Sequence, residues 1–252
     1  MSGFYCEVLA CIKDKDFENA FVILKNLEKK SPLTWHRAYL LGFCLKQLGD
    51  LPESIIYFKK SLAIMPRQPL TYNGMGISYQ YMGNLRQAKC CFNESVKLLS
   101  VKYFPEWSSY SIMCRTLLSE ALNSAGVVNQ RLSKTEFNSR KLMIASLDNH
   151  LEALKIESEI IKFRTKNPKH LKNELHGENY LRFIGNIQKS LEYESPNFTI
   201  FRINVAAQMF RMGNKNPALK YVDEIKNDID EWHPHWNLVV DLMRRMREKR
   251  KI

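Results

Sequence analysis

Residues 46–51, Lys-Gln-Leu-Gly-Asp-Leu, and residues 80–85, Gln-Tyr-Met-Gly-Asn-Leu, are the two stretches that decide the fold of this chain. They begin 34 residues apart and share an apolar residue, a glycine, an Asp or Asn and a leucine in the same order. The stretch Asp14-Lys15-Asp16-Phe17 lies one further 34-residue period upstream. Three copies in register over residues 1–102 predict three stacked helix-turn-helix units.

Glycines recur at two places in the second and third copies. Gly42 and Gly76 fall in the middle of the first predicted helix, where the missing side chain lets the second helix of the pair approach closely. Gly49 and Gly83 fall at the end of that helix, where glycine adopts the left-handed conformation without strain. The spacing therefore predicts both the turn and the tight packing of each pair.

Polar and aromatic residues complete each copy. Asp50 and Asn84 follow the turn glycines and are predicted to cap the second helix through their side-chain oxygens. Phe58 and Phe92 occupy matching positions in that second helix and are predicted core residues. Two of the copies end at a proline, Pro32 and Pro66, and a proline stops a helix.

This combination of a mid-helix glycine, a Gly-Asp or Gly-Asn turn, an aromatic residue and a terminal proline resembles the tetratricopeptide repeat (TPR). The resemblance covers residues 1–102 and is strongest in the second and third units. The first unit departs from it, with Val8 and Lys15 where the others have glycine. The resemblance implies an all-α, right-handed superhelical stack of helix pairs.

Helical patterns continue through the rest of the chain. We expect three segments: TPR repeats in 1–102, a divergent helical segment in 103–198, and a TPR-like pair with a basic capping helix in 199–252. In the last segment the turn at Met209–Leu219 repeats that of the third unit, with Gly213 as its glycine. Pro234 and Trp236 are expected to open the capping helix.

The divergent segment is predicted to contain three helices. The first runs from Glu106 to Ala125 and is expected to stop at Gly126. Residues 133–136, Ser-Lys-Thr-Glu, form a capping-box pattern that opens the second. That helix is expected to reach Lys166, with 148–149 as a candidate interruption, and the third runs over about 178–194.

The composition is that of a folded intracellular protein. No run approaches 18 apolar residues without a charge, so no transmembrane segment is predicted. Six cysteines without paired spacing fit a reducing, cytoplasmic compartment better than a disulfide framework. The net charge is +12, and its one dense cluster lies at residues 241–252.

No enzyme motif is present, and the chain is predicted to be non-enzymatic, with neither a cofactor nor a metal. The sequence lacks a phosphate-binding loop, a His-Glu-x-x-His motif and a Gly-x-Ser-x-Gly motif. His233 and His235 are the one close histidine pair, and structural zinc requires four ligands. A turn before the last helix is the better interpretation of this pair.

In a TPR stack the first helix of each pair lines a concave groove. The resemblance places ten residues of this chain on that groove: Tyr5, Leu9, Ile12, His36, Tyr39, Phe43, Leu70, Asn73, Ile77 and Tyr81. This face is aromatic and aliphatic, whereas TPR clamps for the acidic tails of heat-shock chaperones present basic residues there. We therefore expect an adaptor that holds an apolar helix or extended segment of a protein partner.

Two alternatives stay open for the groove. Its residues could instead pack against the chain's own middle segment or a neighbouring subunit, and the sequence leaves the oligomeric state undetermined. A chaperone of a secreted protein is a variant of the adaptor hypothesis, although such three-repeat chaperones are much shorter than 252 residues.

The basic tail supports a second hypothesis, contact with an anionic partner such as nucleic acid, acidic lipid or an acidic protein. The candidate residues are Arg244, Arg245, Arg247, Lys249, Arg250 and Lys251. A solvated capping helix is the competing interpretation. Since the tail lacks aromatic residues and the groove has cations only at its edge, Lys13 and Lys46, nucleic-acid binding is disfavoured without being excluded.

Overall fold

The computed structural model describes residues 3–99, 109–166, 198–228 and 235–248, and every regular element in these ranges is an α-helix. Three pairs come first: α1 (Gly3–Lys13), α2 (Phe17–Lys30), α3 (Trp35–Leu48), α4 (Leu51–Ile64), α5 (Pro69–Tyr81) and α6 (Leu85–Leu98). A longer pair, α7 (Ser109–Leu132) and α8 (Ser139–Lys166), is followed by α9 (Phe198–Arg211), α10 (Lys215–Asp228) and α11 (Trp236–Glu248). The predicted all-α superhelical stack of helix pairs is confirmed in the described part of the chain.

The turns within the pairs share one backbone conformation. Gly49, Gly83 and Gly213 have φ angles of 88°, 80° and 90°, which confirms the predicted left-handed helix ends. In the first pair, where the glycine is missing, Lys15 adopts the same conformation with a φ of 60°. The geometry of the turn is therefore retained even where the residue best suited to it is absent.

The two predicted caps differ from each other. The Asp50 side chain accepts a hydrogen bond of 3.3 Å from the backbone N–H of Glu53, as predicted. The prediction for Asn84 is wrong, because its side chain makes no capping hydrogen bond. There the backbone alone closes the first turn, with the Ala88 N–H donating to the Asn84 carbonyl at 3.0 Å.

The mid-helix glycines lie directly beneath phenylalanine rings. A Cβ atom on Gly42 would lie 2.8 Å from Cδ1 of Phe58, and one on Gly76 would lie 2.8 Å from Cε1 of Phe92. Both rings are fully buried. Phe58 also lies against Gly74 of the next pair, where an added Cβ would be 2.8 Å from its Cζ. One ring therefore joins two successive units.

The middle pair departs from two sequence-based predictions. α7 does not stop at Gly126, because that glycine makes room for the ring of His150, whose Cε1 would lie 2.7 Å from an added Cβ. The capping-box pattern does not open α8 either, because the Ser133 hydroxyl turns back and donates to the Gln130 carbonyl at 2.8 Å. α8 begins at Ser139 and continues without interruption through 148–149. The helix predicted over 178–194 lies outside the described residues.

A partly buried polar seam attaches α9 to the middle pair. The Asn123 Oδ1 accepts hydrogen bonds from Nδ1 of His150 and from Nδ2 of Asn204, each at 2.9 Å. Nearby, the Gln208 side chain is fully buried and donates to the Met143 carbonyl at 3.0 Å. Because breaking a buried hydrogen bond leaves an unsatisfied polar group, these contacts specify how α9 packs against α7 and α8.

The last two described helices share a separate apolar core. Val222 and Ile225 of α10 pack with Met243 and Met246 of α11, and all four side chains are buried. α11 thus covers the apolar face of α10, as expected of a capping helix. The division of the chain at 102 and 198 stays a prediction.

Stability should depend on the ionisation of His150. Burial, with a smaller contribution from Arg211, lowers the pKa of His150 to about 4 from its usual 6.5. The unfolded chain binds this proton below pH 6.5 and the folded chain does not, so the free energy of unfolding falls as the pH drops from 6.5 towards 4. The full contribution is about 3 kcal/mol.

Urea unfolding at several pH values, with the His150→Phe variant as reference, measures this contribution. The phenyl ring keeps the packing on Gly126 and cannot titrate. The free energy of unfolding of the variant, relative to that of wild type, should therefore increase as the pH falls. His36, whose pKa burial also lowers to about 4, contributes equally to both proteins and cancels. A difference that is independent of pH would contradict a buried neutral imidazole.

Candidate functional site

The first helices of successive pairs, α1, α3, α5 and α7, line the concave face of such a stack. Of the residues predicted to lie there, several are partly accessible: Tyr5, Leu9, His36, Leu70 and Ile77. Tyr81 is 75% exposed, at the C-terminal end of α5. These six side chains retain surface that a partner could contact.

Three of the predicted groove residues belong to the core. Ile12, Tyr39 and Phe43 are only 0%, 4% and 7% exposed, so the prediction that they present a contact surface is wrong. The reason is aromatic packing around α3, which is enclosed by its neighbours. The ring of Tyr39 lies 5.9 Å from that of Phe58, and the ring of Phe43 lies 6.0 Å from that of Phe17.

Asn73 of α5 is a different case, because a buried position holds a polar side chain. It is 5% exposed, and its Oδ1 accepts no hydrogen bond from the described residues. Leu70 packs with the cluster that contains Leu117, and Ile77 with the cluster that contains Ala125. Asn73, which lies between them on α5, therefore lies beside the middle of α7.

A polar cluster, formed by Lys46 of α3, Glu120 of α7 and Glu157 of α8, lies in the same part of the stack. Lys46 and Glu120 attract each other, and the Glu157 carboxylate repels that of Glu120. The Lys46 ammonium also lies 5.0 Å from the centre of the Phe43 ring. Glu157 is fully buried and accepts a hydrogen bond of 2.8 Å from the Ser119 hydroxyl.

Burial shifts the ionisation of this cluster towards neutrality. It raises the pKa of Glu120 to about 8, with the Glu157 charge as the second cause and Lys46 acting in the opposite direction. Burial likewise lowers the pKa of Lys46 to about 8, against the attraction of Glu120. The Oε1 of Glu120 is buried and, like Oδ1 of Asn73, accepts no hydrogen bond in the described structure.

Unsatisfied buried oxygens of this kind are uncommon in folded proteins, because each costs free energy that a hydrogen bond would recover. Each such group in a folded protein calls for an explanation, and a functional role is one of them. The sequence predicts a uniformly apolar face on the first helices. The structure differs, because oxygen acceptors lie among the partly accessible aliphatic and aromatic side chains of these helices.

The acidic members of the polar cluster are not recognisable from the sequence. Glu120 and Glu157 lie in the divergent segment, which has no repeat register by which to assign a residue to the groove. The one available signal is Lys46, which the repeat places at the groove edge. A partly buried lysine favours a nearby carboxylate, and the packing of α7 identifies Glu120 as that carboxylate.

The described arginines of the basic tail are exposed but paired. Arg244 and Arg245 both contact Asp241, the first at 2.8 Å, and Arg247 lies 3.4 Å from Asp223. Half of the predicted anionic-partner site, Lys249, Arg250 and Lys251, lies outside the described residues, as does His233. The tail hypothesis stays a prediction.

No described helix combines the length and apolar character needed to cross a bilayer. Over the same ranges, no three His, Cys, Asp or Glu side chains are grouped as a metal site would require.

Comparison with known proteins identifies the repeat. The model of the family described as tetratricopeptide repeat matches residues 33–100. Among solved structures, an assembly chaperone of RpL4 (Acl4) aligns over 99% of this chain and 97% of its own, with a TM-score of 0.51 and 13% identity. PilF of Pseudomonas aeruginosa aligns over 93% of each chain, with a TM-score of 0.45 and 12% identity.

At sequence identities of 12–13%, these structures are similar to this chain in fold alone. The search of curated proteins found no match to this sequence. The family match and the glycine turns identify residues 33–100 as tetratricopeptide repeats, and the helix pairs on either side continue the same kind of stack in the described part of the chain.

Glu120 should make stability depend on pH in the direction opposite to His150. Below pH 4.5 the carboxyl is protonated in both states, whereas up to about pH 8 the folded chain keeps a proton that the unfolded chain has lost. The free energy of unfolding therefore falls as the pH rises through this range. The isosteric Glu120→Gln variant cannot titrate, so its stability relative to wild type should increase with pH.

Urea unfolding of wild type and Glu120→Gln at pH values between 5 and 8.5 tests this expectation, with an increase of about 1 kcal/mol or more expected. The exposed carboxylate Glu152 of α8 supplies the control variant, Glu152→Gln, which should show a constant difference from wild type. A Glu120→Gln difference that is equally constant would mean that this carboxyl is as solvated as the control.

Proposed function

We propose that this TPR protein is a non-catalytic scaffold that holds a segment of a protein partner on its concave face. The observations that carry the proposal are the partly accessible apolar side chains of the first helices and the unsatisfied buried oxygens near them, which include Oε1 of Glu120 and Oδ1 of Asn73. TPR folds are generally protein-interaction modules. A bound segment that supplied hydrogen-bond donors at this position would recover the free energy that these oxygens lack.

The accessible side chains suggest the chemistry of the partner. Tyr5, Leu9, Leu70 and Ile77 are partly buried apolar residues on the first helices, and they suit an apolar helix or extended segment. The acceptors of Glu120 and Asn73 suit a donor group on that segment. We therefore propose an amphipathic segment, mainly apolar, with at least one N–H or ammonium group directed at α7.

Shifted pKa values can also mark a catalytic site, and the buried cysteines of this chain argue against catalysis by a thiol nucleophile. Burial raises the pKa of Cys44, Cys91 and Cys114 to about 12, so these thiols stay protonated and are poor nucleophiles. Free thiols also suit the reducing cytoplasm that we propose as the compartment. We therefore propose that the polar cluster of this chain serves to recognise a partner and not to catalyse a reaction.

The fold neighbour that spans the whole chain is, by its name, a chaperone that assembles RpL4. Holding one protein segment is a function of the kind proposed here. Because the identity is 13%, this neighbour supports only the idea that such a fold can hold a protein segment. The partner of this chain has to be identified by experiment.

Quantitative affinity purification with mass spectrometry tests the proposal. The variant is Glu120→Leu, which removes the acceptor and keeps the side-chain volume but also removes a carboxylate that attracts Lys46, so some loss of stability is expected in the free protein. We expect recovery of the principal protein partner to fall by about ten-fold, the usual cost of a lost hydrogen bond to a carboxyl group.

The control is Glu152→Leu, which removes an exposed carboxylate from α8 and should leave recovery unchanged. Thermal melting of both variants establishes that they are folded. If a folded Glu120→Leu protein recovers the same partners in the same amounts as wild type, the assignment of the concave face is wrong.

A further inference from the structure

One edge of the stack carries the turns within the later helix pairs, and it has an unusual surface. We use the term turn edge for residues 81–86, 131–141 and 211–215, which connect α5 to α6, α7 to α8 and α9 to α10. Phe137 is 104% exposed and Tyr81 is 75% exposed. Met82, 40% exposed, lies next to Tyr81. Large apolar side chains left in water on neighbouring turns indicate an interaction surface.

Direct contacts join the first two turns into one surface. The Arg86 Nε lies 2.9 Å from Oε1 of Glu136, next to Phe137 in the chain. The Arg131 Nη1 donates to the Gln80 carbonyl at 3.3 Å, next to Tyr81. The two exposed aromatic rings are therefore carried by turns that contact each other.

The third turn adjoins the second through α7 and α9. The Gln130 side chain donates to Oε1 of Gln208 at 3.0 Å, one residue before Arg131 and three before Arg211. Arg211 and Lys215 are both exposed and flank Gly213. The turn edge therefore continues from α5 to α10.

The charge of this edge is strongly positive. Glu136 is the single acidic residue in 121–147, and residues 54–93 and 195–222 contain none. Its exposed cations come from all three turns: Arg86, Arg131, Lys134, Arg140, Lys141, Arg211 and Lys215. An edge with several cations and one acid attracts a polyanion.

We propose that the turn edge binds single-stranded nucleic acid. Exposed aromatic rings among cations match a ligand that alternates flat bases with phosphates, because the rings stack on bases while the cations contact the backbone. A duplex hides the faces of its bases, and an acidic peptide gives Tyr81 and Phe137 nothing to stack on. The proposal is independent of the concave face, since the two surfaces share only Tyr81.

Fluorescence anisotropy with a labelled oligouridylate of about 20 nucleotides tests the proposal on the full chain. Tyr81→Ser and Phe137→Ser remove one ring each and keep every charge, and both positions are exposed enough for the fold to tolerate the change. Each variant should weaken binding by about five-fold or more. The double variant Arg140→Gln with Lys141→Gln should instead make the salt dependence shallower, by about 1.4 in the slope of log K against log salt.

A control variant removes an exposed apolar side chain and two cations elsewhere on the surface. Val22 is 53% exposed on α2, and Lys29 and Lys30 are exposed at the end of that helix. Val22→Ser with Lys29→Gln and Lys30→Gln should leave binding within about two-fold of wild type, apart from a small effect of net charge.

Competition with polyglutamate and with duplex RNA of equal length distinguishes the possible polyanions. Preference for the single strand, together with the loss on removing either ring, supports the proposal. Equal competition by polyglutamate with no effect of the ring variants would identify a general acidic-protein surface and overturn it. An absence of oligouridylate binding at about 50 mM salt would also overturn it.

Discussion

The structure depends on one contact, a phenylalanine ring packed against the bare backbone of two glycines. Phe58 of α4 fills the space where Gly42 and Gly74 would have side chains, and so joins α3 of its own unit to α5 of the next. Phe92 repeats the contact on Gly76. The middle pair keeps the same arrangement with an imidazole ring, since His150 lies on Gly126. A ring on a glycine therefore sets the spacing of helices well beyond the recognisable repeats.

That spacing creates both candidate surfaces. The packing of the first helices brings Lys46 of α3 near Glu120 of α7, and it buries Asn73 of α5 beside α7. The same stacking aligns the turns along one edge, where Tyr81 and Phe137 project into solvent. Core residues thus hold the helices in place, while the residues left polar or exposed are available for partners.

The sequence predicts most of the fold, because periodic glycines report on backbone conformation directly. The turns at Gly49 and Gly83 follow from it. Gly126 is predicted to end α7 but instead accommodates the ring of His150, since a glycine that ends a helix and one that accommodates a ring have the same local sequence signal. The groove residues Tyr39 and Phe43 were misassigned because repeat position specifies a helix face but not what packs on it. Glu120 could not be predicted, because its environment comes from residues distant in sequence.

A double-mutant cycle tests most directly the central claim that one ring joins successive units. Gly74→Ala is measured by urea unfolding in wild type and in a Phe58→Leu background, which removes the ring atoms nearest the new Cβ. We predict that Gly74→Ala costs about 1–3 kcal/mol in wild type and at least about 1 kcal/mol less in the Phe58→Leu background. Equal costs in the two backgrounds would contradict the claim and leave the spacing of the stack to other contacts.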